Sequence, residues 1–342
     1  MSGARGAPTS PDAPLDAAPD APPDAPLDGT LGPRFDGSVP AGGYRWWYID
    51  ALSDDGRHGL TVIAFVGSVF SPYYAWAGHA EPEDHVCINV ALYGPRHHWA
   101  MTERGRDALE RDATHFRVGP SRLSWDGTRL TLEIDERSTP FPRPQRGYPM
   151  RGRITLEAET LATARMAIDH AGLHRWQPLA PAARVEVAMD TPDVRWSGHG
   201  YLDTNDGDEM LEQGFRRWDW SRARMADGTT AILYDCTEHD DTGRTLALHI
   251  DHDGSVAAFE PPPLQRLPRG WWGVSRATRA DGEARIAHAF EDAPFYTRAA
   301  IDTVLRGERV TAVHETFDGK RFANGVIKWM LTMRMPRRTG LR

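Results

Sequence analysis

The sequence has little cysteine and no long hydrophobic run. Its 342 residues include two cysteines, Cys87 and Cys236, which are too far apart for a CxxC motif and too few for a disulfide framework. This usage is typical of a reducing compartment, with both thiols as small buried hydrophobic groups. The richest apolar run, residues 60–65, is far shorter than the roughly 20 residues of a membrane-spanning helix.

Residues 1–40 combine nine of the 26 prolines with six aspartates. They contain no apolar stretch of the kind that directs secretion, so we expect a cytoplasmic protein whose membrane contact is at most peripheral. Phe35 is the only aromatic residue here, so the segment has too little apolar surface to offset the entropy of ordering it. We predict a disordered tail over 1–40 and a fold that begins near Tyr44.

An excess of positive charge is also missing. Lys and Arg number 40 against 48 Asp and Glu, and the net charge of −8 argues against a nucleic-acid partner, which requires a strong basic field. The sequence contains none of the motifs GxSxG, GxGxxG, P-loop, HxH or HExxH. We therefore predict no serine-hydrolase site, no nucleotide cofactor and no metal site.

Apolar and polar residues alternate in several segments, which is the period of a strand with one buried face. The clearest runs are 130–134, 154–157 and 185–189. Asp-Gly pairs, typical of type I′ hairpin turns, separate such runs at Asp55-Gly56, Asp126-Gly127, Asp227-Gly228, Asp253-Gly254, Asp281-Gly282 and Asp318-Gly319. Short helices are predicted only within 106–112 and 326–333. The pattern therefore predicts an all-β, antiparallel fold.

The chain contains a weak internal repeat. A Trp-rich segment, an Asp-Gly pair and an apolar strand follow one another from Trp46, and again from Arg217. This order indicates two similar β units. We place the boundary at Thr191-Pro192, which gives a tail over 1–40 and β-barrel domains over 41–191 and 192–342.

Twelve tryptophans and nine tyrosines are many for this length, and several are clustered. They either fill barrel cores or line an apolar cavity for a long unsaturated or sugar ligand, and β-barrels often combine the two. The candidate ligand-binding residues are Trp47, Tyr74, Trp76, Trp218, Trp220 and Tyr234.

Two short segments carry candidate proton-transfer groups. In His174-Arg175-Trp176 and in Gly198–Asn205, alternate residues share one face of a strand. His174 thus lies beside Trp176, and Tyr201 beside Asp203, on what we take to be an inward face. The alternatives are a surface or core histidine with satisfied hydrogen bonds, and an aspartate in an Asx turn before Asn205-Asp206-Gly207.

Longer strings resemble one family. They are WWYIDALSDDGRHGLTVIAFVGSVFSPYYAWA from Trp46, INVALYGP from Ile88, WAMTERG from Trp99, WSGHGYLDTNDGDE from Trp196, FRRWDWSRA from Phe215 and LYD from Leu233. Together they are similar to the carotenoid 1,2-hydratases, or hydroxyneurosporene synthases, of photosynthetic bacteria. The resemblance runs from about Tyr44 to Pro336.

This resemblance implies two packed lipocalin-like β-barrels. It also implies a hydro-lyase that adds water, without a cofactor, to the terminal double bond of acyclic carotenoids such as neurosporene and lycopene, on the route to spheroidene or spirilloxanthin pigments. The functional positions it implies are His174, Trp176, Tyr201 and Asp203.

Hydration of an isolated alkene needs a proton donor, a stabilised tertiary cation and a water molecule. We assign proton donation to Asp203, because burial among aromatic residues keeps a carboxyl group protonated. Trp176 and Tyr201 are assigned to stabilise the cation. His174 either accepts the second proton or holds Asp203 in its acid form, and the sequence leaves both roles open.

Other functions stay open at this point. A lipocalin-like carotenoid or lipid carrier would use the same cavity without an acid, and a related terpenoid-modifying enzyme would use Asp203 without water. A carbohydrate-binding module is disfavoured by the length of the matching strings. The basic C-terminal segment either contacts an anionic membrane surface or is an ordinary solvated end; it includes Lys328, Trp329, Arg334, Arg337, Arg338 and Arg342.

Overall fold

The computed structural model describes residues 32–140 and 144–338, and nearly all of its regular structure is antiparallel β-sheet. The predicted all-β class is therefore confirmed. The helices are short: α1 (Pro72–Trp76), α2 (Leu211–Gly214), α3 (Gly319–Phe322) and α4 (Gly325–Leu331). Three 3-10 turns lie at Pro82–Asp84, Arg106–Ala108 and Pro144–Arg146.

The first sheet has twelve strands. They are β1 (Tyr44–Ser53), β2 (Gly59–Val66), β3 (Val86–Tyr93), β4 (His98–Met101), β5 (Leu109–Arg111), β6 (His115–Val118), β7 (Ser121–Trp125), β8 (Arg129–Arg137), β9 (Pro149–Thr160), β10 (Met166–Ala167), β11 (His174–Thr191) and β12 (Val194–Gly207). Their order is β4-β3-β2-β1-β12-β11-β9-β8-β7-β6-β5, and β10 pairs with β11.

This sheet curls around a closed apolar core. Buried side chains from strands across the whole sheet meet in one cluster, among them Trp47, Ile88, Leu132 and Val185. Segments far apart in the strand order also touch, since the amide that follows β8 at Thr139 donates to a carbonyl of β4 at 2.9 Å. The first sheet is thus a barrel filled by its own side chains.

The second sheet has seven strands in the order β16-β15-β14-β13-β21-β20-β19, and a separate hairpin joins β17 to β18. The strands are β13 (Phe215–Arg224), β14 (Thr230–Glu238), β15 (Gly243–Ile250), β16 (Val256–Ala258), β17 (Leu264–Leu267), β18 (Arg276–Arg279), β19 (Arg285–Asp292), β20 (Tyr296–Leu305) and β21 (Glu308–Asp318). The hairpin covers one face of this sheet, where the Ala277 amide donates to Asp219 at 3.2 Å. Leu233, Leu267 and Ile301 lie in the core between them.

The opposite face of the second sheet packs against the outside of the first barrel. Side chains alternate along a strand, so Trp47 points into the first barrel while Trp46 and Tyr48 point out of it. These outward residues join Trp218 and Tyr234 of the second sheet in one buried cluster. The seam between the barrels is therefore aromatic, and the candidate site lies in it.

The N-terminal segment departs from the sequence prediction. Residues 1–31 of the predicted tail lie outside the described part of the chain, whereas 32–40 are described. Phe35 is completely buried, with its ring centroid 5.0 Å from that of Trp47 and 5.7 Å from that of Phe116. Hydrogen bonds add to this packing, since the Arg111 guanidinium donates to the Phe35 and Gly37 carbonyls, both at 2.7 Å. The segment is therefore held by contacts with distant strands.

The sheets also change at a different place from the predicted domain boundary. Strand β12 follows Thr191, yet it pairs with β1 and β11 of the first sheet. The change of sheet falls between Gly207 and Phe215. The predicted boundary lies instead in the turn of a long hairpin, which the Pro and Asp residues there indicate equally well.

Four of the six Asp-Gly pairs lie in turns between paired strands, at Gly56, Gly127, Gly228 and Gly254. In these pairs the glycine has a positive φ and the aspartate does not, so the type I′ assignment was wrong. Asp281-Gly282 joins strands that do not pair, and Asp318 caps α3. Helix α4 confirms the prediction for 326–333, whereas 106–112 contains one 3-10 turn followed by β5.

Candidate active site

A cavity of about 30 Å³ lies in the seam between the two barrels. The first barrel contributes Trp46, Tyr48, Trp176, Asp203 and Asn205, and the second sheet contributes Trp218, Trp220, Tyr234 and Glu315. Strand register brings these residues together: Tyr48 pairs with Asp203, and Trp220 pairs with both Tyr234 and Glu315. A volume of this size holds one or two water molecules.

Asp203 is the best-defined acid of the cavity. Its Oδ2 atom accepts hydrogen bonds from Trp176 Nε1 and from the Tyr201 hydroxyl, both at 2.9 Å. Its Oδ1 atom is buried and has no hydrogen-bond partner among the described residues. Burial raises the pKa of Asp203 well above its ordinary value; the two hydrogen bonds lower this pKa, and the nearby charges of Glu315 and Asp50 raise it. The geometry thus presents a buried carboxyl group that has one oxygen without a partner among the described residues and a pKa that burial raises.

Two buried ion pairs flank Asp203. Glu315 Oε1 accepts from the Tyr48 hydroxyl at 2.6 Å and from Arg298 Nε at 2.7 Å. Asp50 pairs with Arg222, whose guanidinium lies 5.2 Å from the centroid of the Tyr201 ring. Because each carboxylate has its own arginine, Asp203 is the one carboxyl group lining the cavity that lacks a basic partner.

Aromatic rings form the walls of the cavity. Trp176 and Trp218 contact Tyr234 edge-on, with ring centroids 5.6 and 5.8 Å apart, and Trp220 lies 5.5 Å from Tyr201. Such faces stabilise a positive charge that forms against them. The Nε1 atoms of Trp218 and Trp220 are buried without partners in the described part of the chain, which suits a water molecule in the cavity.

A larger apolar chamber of about 160 Å³ adjoins this cavity within the seam. Its walls include Ile63, Met101, Phe295 and Leu331. Tyr296 and Arg298 lie between the two spaces, because both line the chamber while the Tyr296 ring centroid lies 6.5 Å from that of Trp218 and Arg298 binds Glu315. A cavity of about 150 Å³ accommodates benzene, so this chamber takes a branched end of five or six carbons.

His174 does not lie in the cavity. Its Nδ1 atom is 2.8 Å from the Tyr44 hydroxyl and its Nε2 atom is 3.3 Å from Glu209, so its hydrogen bonds do not reach Asp203. Burial lowers the pKa of His174, although Asp169 and Glu209 oppose this shift. The predicted hydrogen bond to Asp203 is not formed, because the strand places His174 two register pairs beyond Trp176. Its role as a base stays a prediction. Through Tyr44, which stacks on Trp46 at 4.8 Å, it supports the cavity wall.

His174→Gln is therefore expected to weaken the fold. The Tyr44 hydroxyl would lose its partner, which lowers the free energy of unfolding by about 1–3 kcal/mol. Urea titration followed by tryptophan fluorescence measures this change. An unchanged free energy of unfolding combined with loss of product would contradict the supporting role and restore a chemical one.

Three predicted ligand-binding residues also lie elsewhere. Trp47 is completely buried inside the first barrel, and its Nε1 atom donates to the Pro33 carbonyl at 2.7 Å. The Tyr74 hydroxyl donates to the Gly43 carbonyl at 2.8 Å, away from the cavity, and Trp76 is 58% exposed. Trp218, Trp220 and Tyr234 do line the cavity. The predicted inward face of Tyr201 and Asp203 is in fact the outer face of the first barrel.

The sequence reasoning missed Trp46, Tyr48, Asn205 and Glu315. Period-two alternation was the available signal for Trp46 and Tyr48, which share a face opposite to that of Trp47. Glu315 gave no local signal, since it reaches the cavity through the pairing of β21 with β13. Among residues 32–140 and 144–338, no group of three or more His, Cys, Asp or Glu side chains is arranged to hold a metal ion.

Comparison with known proteins identifies the family. The family model described as carotenoid hydratase CrtC matches residues 62–342. The chain belongs to the carotenoid hydratase family. The resemblance seen in the sequence strings is thereby confirmed.

Several relatives are described as acyclic carotenoid 1,2-hydratases. An acyclic carotenoid 1,2-hydratase of Rubrivivax gelatinosus is 50% identical over 314 residues, which cover 90% of this chain and 76% of the relative. Those of Thiocapsa roseopersicina and Cereibacter sphaeroides are 49% and 43% identical, covering 90% and 82% of this chain and 76% and 99% of theirs.

Solved structures share the fold. A Nitrosomonas europaea protein described as AttH aligns with a TM-score of 0.57 and 17% identity, over 87% of this chain and 99% of its own. CghA aligns with a TM-score of 0.51 and 15% identity, over 86% of this chain and 92% of its own. These likenesses span both barrels, and the predicted pair of lipocalin-like barrels is confirmed.

Proposed function

We propose that this protein is a hydro-lyase that adds water to the terminal 1,2 double bond of acyclic carotenoids, converting neurosporene to hydroxyneurosporene and lycopene to rhodopin. Membership of the carotenoid hydratase family supports this assignment. The observation that carries it is Asp203: a buried carboxyl group with one oxygen unpartnered among the described residues, in an aromatic cavity that holds one or two water molecules.

The reaction begins with proton transfer from Asp203. The carboxyl O–H bond breaks and a C–H bond forms at C2 of the terminal alkene, which leaves a tertiary cation at C1. Trp176, Trp220 and Tyr201 surround the acid and stabilise the cation, each aromatic face contributing about 1–2 kcal/mol when desolvated. Water then attacks C1, and the tertiary alcohol forms without a redox step.

The apolar chamber holds the end of the substrate chain. Its walls come from both barrels and from α4, and its inner end reaches Tyr296 and Arg298 beside the cavity. For hydration, a branched isoprenoid end held in this chamber has to pass Tyr296 and Arg298 to reach Asp203. Most of the wall surface is apolar, which suits a hydrocarbon, although charged residues such as Glu291 and Arg334 also line the chamber.

Incubation with dispersed lycopene or neurosporene in H2¹⁸O, without added cofactor, tests the proposal. We expect pigments heavier by one labelled water, detected by chromatography with mass spectrometry. A carrier would bind the pigment and return it unchanged, which would overturn the hydratase assignment. A new product without ¹⁸O would indicate the related terpenoid chemistry instead.

A water-insoluble substrate calls for contact with a membrane. The described residues include no helix long and apolar enough to cross one. Peripheral contact is supported by exposed apolar side chains beside the chamber: Trp271 is 91% exposed, Val326 66% and Trp329 57%. Trp272 and Leu331, which follow in the same segments, line the chamber itself. We place the docking surface at these exposed residues.

The basic C-terminal segment contributes less to this surface than the sequence indicated. Lys328 binds Glu212 at 2.5 Å, Arg337 pairs with Asp84 and Glu103, and Arg334 lies over the Trp99 ring at 4.1 Å. These cations are engaged within the protein. Arg342 lies outside the described residues.

The double variant Trp271→Ala/Trp329→Ala is expected to bind neutral phosphatidylcholine vesicles at least about 10-fold more weakly, because each indole otherwise leaves water. Co-sedimentation measures the binding. Trp125→Phe, inside the first barrel, is the matched control and should bind like the parent. Undiminished binding by the double variant would contradict this surface, and binding that requires phosphatidylglycerol would restore the basic segment.

A further inference from the structure

The cavity contains a second carboxyl group, on the side opposite Asp203. Glu315 lies on β21 of the second sheet, whereas Asp203 lies on β12 of the first barrel, and both line the same small space. Tyr48, the cross-strand neighbour of Asp203, donates its hydroxyl hydrogen to Glu315 at 2.6 Å. The Tyr48 hydroxyl group thus links Glu315 to the pair of strands, β1 and β12, on which Asp203 lies.

We propose that Glu315 is the catalytic base that orients the attacking water and accepts its proton. This inference rests on the proposed hydration. Water oxygen forms a bond to C1 of the cation, one water O–H bond breaks, and that proton passes to the Glu315 carboxylate. Asp203 is left ionised and Glu315 protonated, and water that refills the cavity returns the proton to Asp203. One alkene and one water therefore give one alcohol, and no other reactant is consumed.

The surroundings of the two carboxyl groups match these different tasks. Glu315 has a buried counter-charge in Arg298, which also donates to the Tyr93 hydroxyl at 2.9 Å. Asp203 has only the neutral donors Trp176 and Tyr201. The negative charge of Glu315 adds to burial in raising the pKa of Asp203. A pair of carboxyl groups whose environments separate them in this way divides into an acid and a base.

Other candidates for the base fit less well. His174 bonds to Tyr44 and Glu209 outside the cavity. Asp50 does not line the cavity, and it pairs with Arg222 outside it. Glu315 is the carboxylate that shares the cavity with the acid among the described residues.

Deuterium exchange separates the two steps of the reaction. In D2O, protonation of the alkene by Asp203 and its reversal place deuterium at C2 of the recovered substrate, whether or not water attacks. We expect Glu315→Gln to lower alcohol formation at least about 100-fold, the range of a general base, while deuterium still enters the recovered carotenoid. Asp203→Asn should abolish both.

Two further variants secure the test. Glu315→Asp keeps a charge opposite Arg298 and withdraws the carboxylate by one methylene, so it should fold, exchange deuterium and form alcohol at least about 10-fold more slowly. Glu238→Gln, at the end of β14 and outside the cavity, is the matched control and should behave like the parent. Circular dichroism establishes folding for each variant.

Three outcomes would contradict the assignment of Glu315 as the base. Alcohol formation by either Glu315 variant within threefold of the parent overturns the base assignment. Loss of both alcohol and exchange in folded Glu315→Asp also overturns it, since the residue would then serve the protonation step. If the parent protein gives neither alcohol nor exchange, the proposed hydration itself fails and this inference with it.

Discussion

Replacing Asp203 with asparagine is expected to lower the hydration rate at least about 10³-fold, within the range attributed to a positioned general acid. The amide keeps an oxygen to accept from Trp176 and Tyr201, so the hydrogen bonds that fix the side chain survive. It has no proton to give to an alkene. Product formation from lycopene, measured by chromatography, gives the rate.

The same substitution is expected to stabilise the fold at neutral pH. The pKa of Asp203 is raised in the folded protein, so its contribution to stability is complete below the unfolded pKa of about 3.9 and is lost as pH rises through the folded value. Asparagine has no such dependence. The variant should therefore melt about 2 °C or more above the parent at pH 7, and the difference should vanish near pH 4.

The hydration rate of the parent protein should also decrease as pH rises. Hydration needs the protonated acid, so the rate should fall as pH rises through the raised pKa of Asp203. The charged and titratable groups around this carboxyl are Tyr48, Asp50, Tyr201, Arg222, Arg298 and Glu315. Asp235→Asn, on the opposite face of the second sheet, should leave rate and pH profile unchanged. A rate for Asp203→Asn within 10-fold of the parent would remove Asp203 from the reaction.

Filling the apolar chamber should block the substrate. Ala293 lines the chamber at the turn before β20 and is only partly buried. A tryptophan at this position would therefore occupy the chamber. The tryptophan would exclude about five carbons of the substrate, and each buried carbon contributes about 0.8 kcal/mol of binding free energy. We therefore expect kcat/KM for lycopene to fall at least about 10²-fold. Steady-state kinetics on dispersed pigment measures it.

The matched control is Ala257→Trp on β16, which is exposed and away from the chamber. It should keep the parent kcat/KM. Ala293→Trp should also keep the parent melting temperature, which separates blocked binding from damage to the fold. Unchanged kcat/KM in Ala293→Trp would mean that the substrate chain takes a different path to Asp203.

Local patterns were enough to predict the class of fold and half of the cavity. Alternation gave the strands, and the segments His174-Arg175-Trp176 and Gly198–Asn205, together with the family resemblance, gave Trp176 and Asp203 as site residues. The hydrogen bond from Trp176 to Asp203 was not predicted. The seam was not predicted. Alternation distinguishes two faces of a strand without saying which is inside, and Trp47 was therefore preferred to Trp46 and Tyr48.

Long-range pairing accounts for the remaining differences. Glu315 reaches the cavity 112 positions after Asp203, through a strand order that no local pattern encodes. The prolines and aspartates of 1–40 similarly led to the prediction of a disordered tail. Phe35 is buried nonetheless, because distant strands form the core that it contacts. The turn at Thr191-Pro192 resembled a linker because hairpin turns and linkers use the same residues.

Because the cavity is built from two sheets, a growing chain can form it only after both sheets have been synthesised. Translation delivers the N-terminal barrel first, and with it Asp203 already held by Trp176 and Tyr201. The opposing wall arrives with β13 and β14, and Glu315 emerges last, on β21. A nascent or truncated chain therefore carries an acid with no opposing carboxylate and an open aromatic surface, so activity reports on completed docking of the two halves.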